Sequence, residues 1–203
     1  MAILKCMIMV FFFAQATQAS YGDQKILQMY DYLDPQNIVP DKALADAVLY
    51  FENNKARISN KNFISVIDYT QNSRENRFYI INMNTGAVWN IHVAHGKGSD
   101  PDFDGHATSF SNQSGSLKSS LGFYLTAETY YGEHGLSLRM DGLSPSNSNA
   151  RQRAIVIHGA SYVQNVDRVQ GRSWGCPAIA LDLRDRVIGL LKGGSLIYAA
   201  YEK

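Results

Sequence analysis

From Asn62 onward the chain is written in short apolar runs rich in β-branched and aromatic residues, and that pattern restricts the fold more than any other feature. Asn62 to Thr70 (NFISVIDYT) and Arg77 to Asn82 (RFYIIN) read as strands. Asn84-Thr85-Gly86 reads as a hairpin turn before Ala87 to Ala94 (AVWNIHVA). Gly122 to Glu128, Ala154 to His158 and Ser195 to Tyr201 read as further strands. Asp182 is the expected N-cap of a short helix running through Lys192, stopped by Gly193-Gly194. Before Asn60 the spacing is helical. Gln24 to Leu33 places Ile26, Leu27, Met29, Tyr30 and Leu33 near one face. Pro40-Asp41 opens a second helix with Leu44, Ala47, Val48 and Phe51 on one face and Asp41 as its N-cap. The expected picture is a small helical preface over 20–60 on a mostly antiparallel β domain over 61–203.

Residues 1–19 carry the marks of a secretion signal. Lys5 supplies the positive start, Cys6 to Ala14 (CMIMVFFFA) the apolar stretch, and Thr17-Gln18-Ala19 the small-residue cleavage pattern. The apolar stretch is too short to span a bilayer, and no later run is long enough. The processed chain is therefore expected to be exported, with no stable membrane insertion. Loss of Lys5 brings the basic count from 19 to 18, level with the 18 acidic residues. With no basic stripe, a nucleic-acid partner is not expected. The sequence sets no oligomeric state.

Removal of the leader also removes Cys6 and leaves Cys176 as the single thiol. An oxidising compartment turns spare thiols into disulfides or oxidised acids, so keeping one calls for a use. His158, eighteen residues earlier, ends the apolar run Ala154-Ile155-Val156-Ile157 and is followed by Gly159. A lone cysteine with a histidine elsewhere is a candidate nucleophile–base pair, because the thiolate is the nucleophile and its proton must go somewhere. Read alone, the two residues equally fit an inert buried cysteine and a structural histidine. Gly175 permits close backbone approach or positive φ, and Pro177 removes an N–H. Ser173 reads as support for the turn, since a nearby thiolate is far more reactive.

Other polar clusters give less. Gly96 to Ser120 and Leu143 to Ala150 read as loops that either carry binding or are mobile surface. Asp100-x-Asp102-x-Asp104-Gly105 matches the first half of a calcium loop, but Ser111 stands where the closing glutamate belongs. His92 and His95 fall on opposite strand faces, so no metal is expected. His134 has no identifiable partner.

His158, fourteen residues, then Ser173-x-Gly175-Cys176 resembles the signature of the YkuD-type L,D-transpeptidase catalytic domain. Four blocks extend the likeness: SSLGFYLT (119–126), GLSLRMDGL (135–143), RAIVIHGASYV (153–163) and GRSWGCPAI (171–179). They resemble the murein L,D-transpeptidase catalytic domain family, from about Phe63 to the C-terminus. Trp174 stands where the broader signature has histidine, and Ala178 where it has arginine or asparagine.

The resemblance implies a mainly β, YkuD-like β-sandwich domain that works on peptidoglycan stem peptides without a cofactor, in the periplasm or cell envelope of a bacterium. Cys176 would attack the amide joining the third stem residue to the following D-alanine, and His158 would take the thiol proton. Backbone N–H groups near Gly175 and Cys176 would face the oxyanion, with a backbone carbonyl able to orient the imidazole. Arg172 is the nearest candidate for a substrate carboxylate, with Arg139 and Arg153 as alternatives. Gly159, Tyr124 and Trp174 are candidate lining residues; Tyr124 falls where the broader family has a cleft-lining strand. An amine resolving the thioester gives a 3→3 cross-link, water gives an L,D-carboxypeptidase, and a fold kept without turnover gives a wall-binding module.

Overall fold

The computed structural model describes residues 20–202, and the secretion-signal reading of residues 1–19 lies outside them. In chain order the elements are α1 (Tyr21–Met29), α2 (Asp41–Asn53), β1 (Phe63–Asp68), β2 (Phe78–Asn82), β3 (Val88–Ile91), β4 (Gly122–Gly132), β5 (Gly135–Gly142), a 3-10 turn (Pro145–Asn147), β6 (Val156–Ala160), β7 (Ala178–Ala180), α3 (Arg184–Leu191) and β8 (Leu196–Ala200). The fold is mainly β, as expected. The strands form one sheet in the order β3-β2-β1-β8-β4-β5-β6-β7. β1 runs parallel to β8 and β6 to β7, and the other neighbours are antiparallel.

The sheet rolls until its two edges meet. Ala94 N–H donates to Ala178 O at 2.8 Å, Lys97 N–H to Ser173 O at 2.8 Å, and Ser173 N–H to His95 O at 2.8 Å. These bonds join the chain after β3 to the start of β7 and the chain before it. The enclosed core accordingly holds Ile91 and Val93 from one edge together with Ile157 and Ile179 from the other.

The central strands bury both faces. Phe78, Ile80, Ile197 and Ala199 face the enclosed core, while Tyr79, Ile81, Leu196 and Ala200 join a second cluster outside it. That is why RFYIIN reads as a continuous apolar run instead of an alternating one. α2 covers the outer face with Ala43, Ala47, Val48 and Phe51, and α3 inserts Val187, Ile188 and Leu191 into the enclosed core. Each fully buried large side chain contributes about 1.5–3 kcal/mol.

Several expected boundaries move for local reasons. The first helix begins at Tyr21, because Ser20 and Asp23 form a reciprocal capping box. It ends at Met29, where the chain tightens into a turn closed by Leu33 N–H to Tyr30 O. Pro40 takes the cap of α2 and Asp41 becomes its first helical residue. Asp182 does not cap α3; Leu183 sits there without a side-chain cap. β5 and β7 were not expected as strands. Among the described residues no helix is long and apolar enough to cross a membrane.

Candidate active site

A cavity of about 400 Å³ opens where the β4–β5 hairpin, the start of β6 and the loop before β7 converge. Cys176 and His158 both line it, as do Arg172, Ser173 and Trp174. With Arg153, six of the candidates read from the sequence meet in one cleft. Parallel pairing of β6 with β7 sets this up: His158 lies opposite Ala178, two residues beyond Cys176.

The loop carrying the thiol is held from inside. Ser173 is buried, and its Oγ donates to Cys176 O at 2.6 Å while accepting from Gly175 N–H at 3.0 Å. Gly175 adopts φ +129°, and an added Cβ would lie 2.8 Å from Lys118 O. Any side chain there is strained twice, by its backbone and by contact. Gly175 O accepts from Ser119 Oγ at 3.1 Å. The Gly175 N–H expected as an oxyanion donor is thus already engaged by Ser173. Among the described residues Cys176 N–H has no such partner.

The sulfur sits in a mixed environment. Its S–H points to Ala154 O at 3.6 Å, and Ala154 holds φ +53°, a conformation that aims this carbonyl into the cleft. Burial pushes the Cys176 thiol above its ordinary value of 9.0, opposed by the Val156 N–H and the Arg153 charge. At neutral pH it is a protonated thiol.

His158 is 2% exposed. Its Nδ1 lies 3.1 Å from Gly159 O. A carbonyl only accepts, so Nδ1 carries the proton and Nε2 keeps its lone pair. Gly159 therefore acts through its carbonyl, as the orienting group, and not as a cleft-lining residue. Burial lowers the His158 pKa below 6.5; the Gly159 carbonyl opposes this and the neighbouring His134 adds to it. The imidazole is neutral at neutral pH and able to accept a proton.

The arginines divide. Arg172 lines the cleft, with its guanidinium donating to Asp100 O and lying 4.3 Å from the Phe103 ring centroid. Arg153 also lines it but is committed to Ser111 O, Lys118 O and Ser120 Oγ, which pins the serine-rich loop to the site. Arg139 is not at the cleft. It pairs with Glu128 at 3.1 Å and stacks on Tyr130.

Tyr124 is also a correction. It is 2% exposed, faces the enclosed core and bonds Ser120 through its hydroxyl, so it cannot meet a ligand. Strand parity sends Phe123 to one face and Tyr124 to the other. Trp174 is 74% exposed at the cleft mouth, with Lys97 Nζ 5.7 Å from its ring centroid.

Beneath the loop lies a buried charge relay absent from the sequence reading. Arg77 Nη2 is 2.6 Å from His95 Nδ1, and His95 Nε2 is 3.1 Å from Asp100 Oδ2. Guanidinium only donates, so His95 Nδ1 accepts and its Nε2–H donates to Asp100. Burial first, and then Arg77, hold the His95 pKa down at about 3. The carboxylates of Asp100, Asp102 and Asp104 do approach one another. Asp100 nonetheless spends its oxygens on His95 and on the Asp104 and Gly105 N–H groups, and Asp104 on His106 N–H. The cluster is a set of turn contacts.

Sequence reasoning also missed Tyr130, Glu133 and His134, which the β4–β5 hairpin brings to the cleft wall. The tyrosines and paired glycines of Tyr130-Tyr131-Gly132-Glu133-His134-Gly135 were the available signal of a strand–turn–strand unit.

A rolled sheet with a thiol and a basic imidazole in one cleft defines the class. The family model for the L,D-transpeptidase catalytic domain matches residues 35–200, and the chain belongs to that family. Solved structures with some likeness include the LD transpeptidase LdtMt1 in complex with imipenem, at 14% identity and a TM-score of 0.43 over 68% of this chain and 59% of that one. Bd1075 of Bdellovibrio bacteriovorus shows 14% identity and a TM-score of 0.42 over 72% and 51%. An L,D-transpeptidase of Xylanimonas cellulosilytica shows 12% identity and 0.39 over 75% and 69%. The chain thus spans between half and three-fifths of the length of the first two. Comparison with curated proteins gave no match.

Proposed function

We propose that this protein is a peptidoglycan L,D-transpeptidase that forms 3→3 cross-links through an acyl-enzyme on Cys176. The observation carrying this reading is the shared cleft of Cys176 and a His158 whose free lone pair is fixed by Gly159 O. His158 Nε2 takes the thiol proton as Sγ attacks the carbonyl between the third stem residue and D-alanine. Cys176 N–H faces the developing oxyanion. The C–N bond then breaks, His158 returns its proton to the departing D-alanine amine, and a thioester remains. The amine of a second stem attacks that thioester, expelling the thiol and making the new amide. Arg172, which lines the cleft, suits a stem carboxylate, and exposed Trp174 suits a flat or sugar surface. Residues 1–19 would direct the chain to the periplasm or cell envelope.

The reacting pair must hold one proton between its two members. Below the lowered His158 pKa it holds two, and above the raised Cys176 pKa it holds none. Turnover is therefore expected to stay level at least from pH 6.5 to 9.0, the ordinary values that both groups have moved beyond. A narrow optimum inside that window in initial-rate assays would contradict it.

The deciding test is mass spectrometry of disaccharide-tetrapeptide after incubation with the protein. Dimers joined 3→3 are the expected product. Tripeptide alone would reassign the activity to an L,D-carboxypeptidase, and unchanged substrate would favour a wall-binding role.

A further inference from the structure

His134 has no place in the chemistry above, yet it lies against the group that does the proton transfer. It occupies the two-residue turn between β4 and β5, where Gly132 pairs with Gly135. Its ring stacks on that of His158, with centroids 4.2 Å apart and planes 19° from parallel. His134 itself is exposed while His158 is 2% exposed, so the His134 ring stands between the imidazole and solvent. The pairing of Ser137 with His158 fixes this overlap, because it suspends the turn directly beyond the strand that bears the base.

We propose that His134 is a positioning residue that covers His158, excluding water from one ring face and so holding the imidazole in its neutral, proton-accepting form. The proposal rests on the assignment of His158 as the base. A buried imidazole resists protonation because its cation loses hydration. Removing the cover restores water and lets the cation form at higher pH. Stacking also leaves the edge of His158 clear, so Nδ1 keeps Gly159 O and Nε2 stays open to the cleft.

Apart from the charge of His134 itself, which also disfavours the His158 cation, the charges near His158 do not supply this effect. Glu133 shares the turn and would favour the cation. Tyr162 and Cys176 line the cleft as neutral groups at neutral pH, and neither Arg172 nor Arg153 is a cause of the His158 shift. Arg184 of α3 lies behind β6, against Gly159 and Gly135, and pairs with Asp185.

The test is the imidazole proton NMR titration of His158 in the full protein, assigned by loss of the signal in His158→Gln. It requires no substrate. In wild type the midpoint falls below 6.5. In His134→Ala it is expected to rise by about one unit, a tenfold change in the protonation equilibrium, and the acid limb of turnover should move with it. In His134→Phe, which keeps a ring over His158, the midpoint should stay within about 0.3 units of wild type. An unmoved midpoint in His134→Ala overturns the proposal, as does a shift in His134→Phe equal to that in His134→Ala. The expected titrations with no peptide product in wild type would keep the cover and remove the transpeptidase reading.

Discussion

Replacing Cys176 by alanine is expected to abolish product formation from stem peptides while leaving the fold in place. Removing a covalent nucleophile leaves only binding and oxyanion contributions, so the rate should fall by roughly 10⁴-fold or more. Cys176→Ser should be nearly as inactive, because its hydroxyl is a far weaker nucleophile beside the same base. The structural cost is small. Cys176 is half-buried, and its sulfur makes only weak contacts, to Ala154 O at 3.6 Å and with the Val156 N–H. Urea unfolding should show a change of about 1 kcal/mol or less. Rates by liquid chromatography alongside that curve check both halves. Undiminished turnover in the alanine variant would remove Cys176 from the mechanism.

The second large effect is on stability. Arg77 is fully buried, donating to Val93 O at 3.0 and 3.3 Å, to Gln71 O at 2.7 Å and to His95 Nδ1 at 2.6 Å. Burial lowers its pKa to about 10, so it remains charged at neutral pH. It faces Asp100, also buried, with neutral His95 between them. Arg77→Met would leave two carbonyls without donors and a carboxylate without its cation. Breaking such a pair from one side costs about 3–5 kcal/mol, a large fraction of a typical domain's stability. For a chain of this size the melting temperature should fall by about 10 °C. Arg74→Ala is the control: its exposed side chain meets Asp167 only at 3.9 Å, and its removal should cost below about 0.5 kcal/mol. Calorimetry showing equal losses in the two variants would dismiss the buried network as a support. Because His95 O holds Ser173 N–H, the Arg77 variant should also lose activity beyond its loss of folded protein.

What the sequence revealed and what it hid follow from the range of the interactions involved. β1, β2, β3, β4, β6 and β8 were legible because each carries its own apolar run. β7 is three residues long and depends on β6 for its hydrogen bonds, so it has no local signature. β5 carries Arg139 and Asp141 among its apolar residues, and its partners lie elsewhere in the chain. Cys176, His158 and their cleft were reached from a spacing and a resemblance. The contact of His134 with His158 joins residues 24 apart in sequence and exists only once β5 has paired with β6. Tyr124 was misplaced because near the start of β4 one face meets the enclosed core and the other the cluster under α2, and the strand reaches the cleft only at Tyr130.

β8 follows every other strand in the chain, yet it lies in the middle of the sheet, between β1 and β4. Its pairing with β1 brings Ile64 opposite Leu196. Without it, β3-β2-β1 and β4-β5-β6-β7 each keep an open edge, at β1 and at β4. The bonds that seat the Ser173 loop on His95 join the same two ribbons along their other edges. Assembly of this kind is dominated by distant contacts and is correspondingly slow. A chain built this way completes its sheet only when its last strand is in place.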